Sequence, residues 1–399
     1  MKQNYDLSIW GDNWWIEKDK AWFVCGRYNL ICCLDLKTKL CELVVYIPDT
    51  SHSKFRINSF CMKYQEELYC MPIKGKSIWI YNTVKLKFYE ICIDCPNETL
   101  LNIRDFWVFD NKIYAVSNGL RQILEINPVK KKIENRYSLC NKGDIAKSIK
   151  DGSQIYSLCG EYGQIYQFDL VTKEIMAYKI GDRKFNTLCF DGERFWLSGN
   201  NKKLYVWNKE KNKIKILNNF PTQFGMYDFS KNSTGKVNNI LDEYKFPIFL
   251  YSIVVGKSVW FIPYLTNKII YIDQESFVLQ VFEIEEENET KESILERTDL
   301  CYKYLFEYVK DNRYIGLFSI KNNCILEIDT FEQRYKYKQY DYCMSEACIE
   351  EYVKCYGNIF YECNLRDIEI YTILLKQKRI YTPEKNIKSV GSDICKTII

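Results

Sequence analysis

The sequence offers one group of residues that could act together, a set of polar side chains at roughly equivalent places in successive repeat units. Aligning the units on an aromatic residue of the second strand brings together Asn13, Asn58, Arg104, Lys147, Asn186 and Tyr251. Amide, guanidinium, ammonium and hydroxyl donors that converge on one opening would suit an anionic or polyhydroxylated ligand. The alternative is that these side chains only contact water.

Acidic residues are numerous but scattered along the chain. Asp105, Asp228, Glu243 and Glu307 could approach the same opening. Glycoside hydrolysis needs two carboxyl groups at a defined separation, and the sequence alone places no such pair. No Gly-x-Gly-x-x-Gly, Walker or nucleophile-elbow motif is present. We therefore predict no catalytic residue.

The single histidine and the cysteines limit the metal chemistry. His52 lies in a loop at 49–53, and any Ser-His-Asp arrangement would have to use it. Cys92 and Cys95 form a Cys-x-x-Cys pair, but zinc takes four ligands and no second pair has suitable spacing. We predict no metal and no other cofactor. Several of the 18 cysteines, such as Cys70, lie inside strands and are expected to be reduced core thiols.

A repeated unit of about forty residues must position these side chains. In a clear copy, a strand at 154–158 is followed by a strand and polar turn at 166–173 and by another strand at 175–180. The spacings between the turn residues are 47, 45, 42, 39, 65 and 56. Those residues are Asp35, Asn82, Asn127, Asp169, Asn208, Asp273 and Asp329.

A period near forty built from short alternating strands is typical of β-propeller blades, because one small sheet buries both faces only when neighbours stack on it. We predict an all-β, seven-bladed propeller of four-stranded blades over residues 1–342, followed by a cap, partial blade or tail at 343–399. An eighth blade, completed by residues 7–10, is the alternative. The seven units are expected at about 14–47, 57–93, 103–139, 145–180, 186–220, 248–284 and 303–340.

Two insertions interrupt the period. Residues 221–245 are polar enough for a long exposed loop, and the charged segment 285–297 is expected to form a short helix or to stay mobile. Long loops on a rigid scaffold often carry function, although tolerated insertion is the commoner explanation.

Composition narrows the functional class. The chain of 399 residues has 47% hydrophobic and 16% aromatic residues, which suits β-structure, and its net charge is only +4. No basic face for nucleic acid is required, and the Tyr-Lys alternation at 335–338 is expected to be a solvated rim. The N-terminus lacks the apolar core of a secretory signal, and no apolar run reaches the roughly eighteen residues of a membrane helix. We predict a cytoplasmic protein without a membrane partner.

By its repeats the chain resembles kelch and WD40-like propellers over roughly residues 10–340, in architecture only. No unit has the kelch Gly-Gly doublet, and the nearest counterpart of the WD40 Trp-Asp is Trp207-Asn208. We predict a non-catalytic binding or scaffold protein that holds a protein partner or a small polar ligand. The alternative is a carbohydrate-active hydrolase or lyase working in the channel, and a third possibility is a peptide-binding module.

Overall fold

The computed structural model describes residues 9, 11–26, 28–48, 57–96, 99–181, 184–199, 203–220, 247–289, 303–345 and 348, without the side chains of Ser59 and Arg104. These residues form seven four-stranded antiparallel blades in a propeller arrangement, as predicted. The remaining strand, β29, adds to the first blade. Two short 3₁₀ turns lie at Gly160–Tyr162 and Glu285–Glu287.

The strands follow chain order within each blade, from the channel outwards. Blades 1 to 4 comprise β1 Trp15–Glu17, β2 Lys20–Cys25, β3 Leu30–Asp35, β4 Leu40–Tyr46; β5 Asn58–Tyr64, β6 Glu67–Pro72, β7 Ser77–Asn82, β8 Lys87–Cys92; β9 Ile103–Phe109, β10 Lys112–Ser117, β11 Gln122–Asn127, β12 Lys132–Ser138; and β13 Ile145–Asp151, β14 Gln154–Cys159, β15 Gln164–Asp169, β16 Ile175–Lys179. Blades 5 to 7 comprise β17 Phe185–Phe190, β18 Arg194–Gly199, β19 Leu204–Asn208, β20 Lys213–Leu217; β21 Phe249–Val255, β22 Ser258–Pro263, β23 Lys268–Asp273, β24 Leu279–Glu283; and β25 Tyr304–Lys310, β26 Tyr314–Ser319, β27 Cys324–Asp329, β28 Arg334–Lys338. β29 spans Asp341–Met344.

The repeated Asp or Asn caps the turn between the third and fourth strands of every blade. In each turn its Oδ1 accepts one or more backbone N–H groups two or three residues further on, for example from Lys37 at 2.9 Å and Thr38 at 2.8 Å in the case of Asp35. The residue four positions after the cap has a left-handed backbone in all seven turns, with φ between 45° and 65°. The repeat is therefore a turn-forming device, since Asx side chains satisfy turn N–H groups locally.

Removing one of these caps should lower the stability of the fold only slightly, and the loss should depend on pH. We expect Asp35→Ala to lower the Tm by about 1–3 °C, since two backbone donors lose their acceptor. The hydrogen bonds from Thr38 and Lys37 hold the pKa of Asp35 below its usual value, so its contribution is present above the unfolded-state pKa and is lost as the pH falls. Thermal melts of Asp35→Ala and Asp35→Asn provide the check. Asparagine keeps the acceptor, so a loss as large as that of alanine would contradict the capping role.

The blades pack against each other through seven buried hydrophobic clusters, one at each interface between neighbouring blades. The second-strand aromatics add contacts to the turn of the next blade. Lys173 lies 4.6 Å from the ring centroid of Tyr114, and Phe277 stacks on Trp196 with ring centroids 5.6 Å apart. Stacking of blades therefore buries both faces of each sheet, as the period predicted.

Blade 7 meets blade 1 to close the ring. Trp14 stacks on Tyr308 with ring centroids 5.6 Å apart, and its backbone N–H donates to the Glu307 carbonyl at 3.2 Å. β29 pairs in parallel with β4 at the outer edge of blade 1. The chain therefore ties its two ends together in blade 1, which covers a sheet edge. The predicted boundary at residue 342 falls within β29, and the division into 1–342 and 343–399 stays a prediction.

Parts of the insertions lie outside the described residues. This holds for all of 221–245 and for 290–297, whereas Glu285–Glu287 forms the second 3₁₀ turn. Glu287 of that turn is buried and accepts hydrogen bonds from Ser319, Asn322 and Tyr337, which hold the turn against blade 7. Residues 7–10, apart from Ile9, also lie outside the description. Among the described residues, no helix has the length and apolar character needed to cross a bilayer.

Candidate functional site

The centre of the ring contains a cavity of about 770 Å³. Its walls come from the first strands of blades 2 to 7 and from the segment that precedes β1. In blades 2 to 6 the second residue of the first strand is a β-bulge, at Ser59, Arg104, Ala146, Asn186 and Leu250. A bulge re-aims the side chains that follow it, so it decides which residues reach the cavity.

The third residue of each of these first strands lines the cavity. In blade order from 2 to 7 these residues are Phe60, Asp105, Lys147, Thr187, Tyr251 and Phe306. Together with Asn13 from the segment before β1, they form a ring that we call the channel ring.

One side of the channel ring is polar. Lys147 forms an ion pair with Asp105, whose Oδ2 also accepts the backbone N–H of Ser148 at 2.7 Å. The Thr187 hydroxyl lies 2.8 Å from that of Ser198. Lys147 keeps 43% of its side chain exposed, whereas Asp105 keeps 10%. The ammonium group therefore stays accessible while its counter-ion is fixed in the wall.

The other side of the channel ring is aromatic. Tyr251 and Phe306 lie in neighbouring blades with ring centroids 5.9 Å apart, and Phe60 lines the cavity from blade 2. Asp12, in the segment before β1, lines the cavity between Phe306 and Phe60 and is 5% exposed. Tyr251, Phe306 and Phe60 of blades 6, 7 and 2 thus form an aromatic wall of the channel ring, with Asn13 and the Asp12 carboxyl group between the last two, and the ring members of blades 3 to 5 are polar. Phe106, Trp107 and Phe190 also line the cavity, from blades 3 and 5.

Glu307 lies directly behind the aromatic wall. Its side chain is completely buried, and neither carboxyl oxygen has a hydrogen-bond partner in the part of the chain that the structure describes. Burial is the main cause that raises the pKa of Glu307 well above its usual value, and the nearby Asp12 raises it further. Glu307 is therefore a buried acid that favours its neutral form.

The structure brings most of the predicted site residues together. Asn13, Lys147, Asn186 and Tyr251 line the cavity. Asn58 does not, because it is the first residue of β5 and is fully buried, with its backbone N–H donating to Asn29 Oδ1 at 3.1 Å. The side chain of Arg104 is outside the description. The bulges explain the mixed outcome, since each shifts the register by one residue and no local sequence signal marks it.

Sequence reasoning missed Asp12, Phe60, Thr187 and Phe306 as lining residues. Phe60 and Phe306 were missed because the alignment selected residues with polar groups. An alignment of the third residue of each first strand, irrespective of type, would have found them. Asp105 and Glu307 were considered as residues that could approach the opening, with structural or solvated roles favoured. Asp105 lines the cavity, whereas Glu307 is fully buried and does not line it. Asp228 and Glu243 lie outside the described residues.

The single histidine and the cysteines contribute little reactive chemistry to this cavity. His52 lies outside the described residues. Cys189 lines the cavity, and burial raises the pKa of its thiol to about 12. A thiol with that pKa is almost entirely protonated near neutral pH and is a poor nucleophile. Within the described ranges, no three His, Cys, Asp or Glu side chains converge as metal ligands.

No protein-family model matches this sequence, and no curated protein matches it either. Solved structures share the fold. A streptogramin B lyase superposes with a TM-score of 0.55 at 14% identity, covering 84% of this chain and 95% of the lyase. The virginiamycin B lyase from Staphylococcus aureus gives 0.54 at 14% identity, with 78% and 94% covered. Hsv2 from Kluyveromyces lactis gives 0.41 at 15% identity, with 67% and 72% covered. At 14% identity the likeness to the two lyases concerns the propeller fold alone.

Proposed function

We propose that this propeller is a binding protein whose central cavity holds a small amphipathic ligand. The observation that carries the proposal is the channel ring, polar in blades 3 to 5 and aromatic in blades 6, 7 and 2, around a cavity of about 770 Å³. That volume falls within the roughly 300–1,000 Å³ of ligand pockets. An apolar part of the ligand would lie against Tyr251 and Phe306, and a polar part would contact Lys147.

The rigid frame supports a preformed site. The cavity residues lie on strands, and most of these strands also pack against a neighbouring blade through a buried cluster. A ligand that enters such a site loses little free energy to protein ordering. The ion pair between Lys147 and Asp105 also fixes the ammonium group before the ligand arrives.

A thermal-shift screen with small amphipathic compounds tests this function. We expect some compounds to raise the Tm of the wild-type protein, since a ligand that binds only the folded state stabilises it. Tyr251→Ala should weaken binding by about tenfold or more through lost aromatic contact, and Lys147→Met should weaken binding of compounds with an anionic or hydroxyl group. Lys211→Met, an exposed site on the outer turn of blade 5, is the matched control.

The contrary result is equally clear. If every compound that stabilises the wild type stabilises Tyr251→Ala and Lys147→Met equally, binding occurs elsewhere. In that case the cavity is a solvated channel and a propeller face would be the place to seek a protein partner. We retain such a partner, and a cytoplasmic location, as predictions for separate tests by affinity capture and by localisation in cells.

A channel enzyme is the second candidate because two carboxyl groups, those of Asp12 and Asp105, line the cavity. Glycoside hydrolysis uses a pair of carboxyl groups. Incubation with polysaccharides and oligosaccharides, followed by measurement of new reducing or unsaturated ends, tests it. Product formation that Asp12→Asn abolishes would favour the enzyme over the binding protein.

A further inference from the structure

Blade 7 departs from the other blades at one point. In blades 2 to 6 the bulge is the second residue of the first strand, but in β25 it is the fourth residue, Glu307. The opposing strand has Gly316 there, where a Cβ would lie 2.3 Å from the Tyr308 ring. Gly316 thus leaves room for the Tyr308 ring, and the bulge leaves Glu307 without a cross-strand partner in β26.

That carboxyl group lacks the contacts which normally accompany burial. Among the described residues, neither oxygen of Glu307 has a hydrogen-bond partner, although buried polar groups are almost always paired. The described titratable groups that interact with it are Asp12, Tyr308 and Tyr340, none of which is cationic. Tyr308 donates its hydroxyl to Glu327 at 2.9 Å instead.

The neighbouring wall suits a positively charged ligand group. Phe306 precedes Glu307 in β25 and faces the cavity with Tyr251, and Phe60 lines it on the far side of Asp12. Aromatic faces attract ammonium groups, and a nearby carboxylate adds a direct charge partner. On the opposite wall Lys147 is already paired with Asp105 and so repels a second cation only weakly. Lys150 of the same strand also lines the cavity, with its Nζ 5.9 Å from the ring centroid of Phe109.

We propose that the aromatic wall binds an organic ammonium ion, with Asp12 and Glu307 as its counter-ions and Phe306, Tyr251 and Phe60 around it. The inference rests on the proposed cavity-binding function and names the charge of its ligand. No covalent bond changes in this binding. The ammonium group enters as R–NH₃⁺, and the Glu307 carboxyl releases its proton to solvent and becomes the carboxylate.

Three probes that share one phenyl ring separate the two proposals. They are 2-phenylethylamine, 2-phenylethanol and phenylacetate, measured by isothermal titration calorimetry at about pH 6, where an alkylamine is fully charged. We expect the amine to bind about tenfold or more tightly than the alcohol, and the acetate to bind most weakly. Titrations in buffers of different ionisation enthalpy should show proton release on amine binding.

Variants assign the effect to the two carboxyl groups. Asp12→Asn should reduce the preference for the amine over the alcohol by about tenfold. Glu307→Gln should also reduce it and should abolish proton release, a readout that a purely structural role would not change. Lys211→Met, at the exposed outer turn of blade 5, serves as the control and should keep both the preference and the proton release. A thermal melt of each variant verifies folding.

The outcomes are distinct. Equal binding of amine and alcohol, or an amine preference that survives both Asp12→Asn and Glu307→Gln, would overturn the ammonium site and leave the cavity-binding function standing. Failure of all three probes to bind at millimolar concentration would overturn the cavity site for phenyl-bearing ligands and the ammonium inference with it.

Discussion

Trp207→Ala is expected to lower the free energy of unfolding by about 3–5 kcal/mol, the range for truncating a buried aromatic side chain. Trp207 is completely buried in β19 at the interface of blades 4 and 5. Its ring centroid lies 5.3 Å from that of Tyr178 in blade 4 and 5.1 Å from that of Phe195 in blade 5. Loss of the indole would leave a void between two blades that neither sheet can fill by relaxing alone.

Urea denaturation followed by far-UV circular dichroism measures this loss. Trp15→Ala is the matched control, because Trp15 is 36% exposed in β1, and we expect it to cost less than about 1 kcal/mol. A second probe should give a coincident transition before free energies are compared. If the two substitutions cost the same, interface burial does not hold blades 4 and 5 together.

Glu307→Gln is expected to make the protein more stable than the wild type, by an amount that grows with pH. Burial raises the pKa of Glu307, so at a pH below the unfolded-state value both states carry the proton and the carboxyl imposes no ionisation penalty. As the pH rises, the unfolded chain loses its proton first, and the wild-type protein loses up to about 1.4 kcal/mol per pH unit until the folded-state pKa is reached. Glutamine cannot ionise, so the variant lacks this loss.

Urea denaturation at several pH values between about 5 and 8 provides the measurement, because the usual pKa of Glu lies near 4.3. The exposed Glu174 supplies a control, and Glu174→Gln should keep the wild-type pH profile. Parallel pH profiles for wild type and Glu307→Gln would show that Glu307 is solvated or paired in solution. That result would also remove the main support for the ammonium site.

Most of the fold could be predicted from the sequence because its signals are local. Short alternating strands and the Asx-capped turns at Asp35 or Asp169 each depend on neighbouring residues only, and every predicted unit coincides with a blade. In the turns between first and second strands, Asp110, Asn111 and Gly152 have a left-handed backbone, which these residue types tolerate.

The candidate site was predictable only in part. Four of the six polar residues aligned across the repeat units, Lys147 and Tyr251 among them, line the cavity. The bulges were not visible, since an extra residue in one strand is set by its pairing with the next strand and by the blade on either side. Asn58 was therefore predicted to line the cavity, although it is fully buried and does not line it. Phe60 and Phe306, which do line it, were not predicted.

By itself the sequence determined the strands, the turns, the number of repeats and therefore the propeller, because hydrophobic alternation and turn chemistry act within a few residues. Only the tertiary structure decided how the ring closes through β29, which side chains meet at the cavity, and that Glu307 is buried without a partner. These features join residues from blades far apart in the chain. Their energies depend on burial and on facing charges, which exist only once the blades have packed.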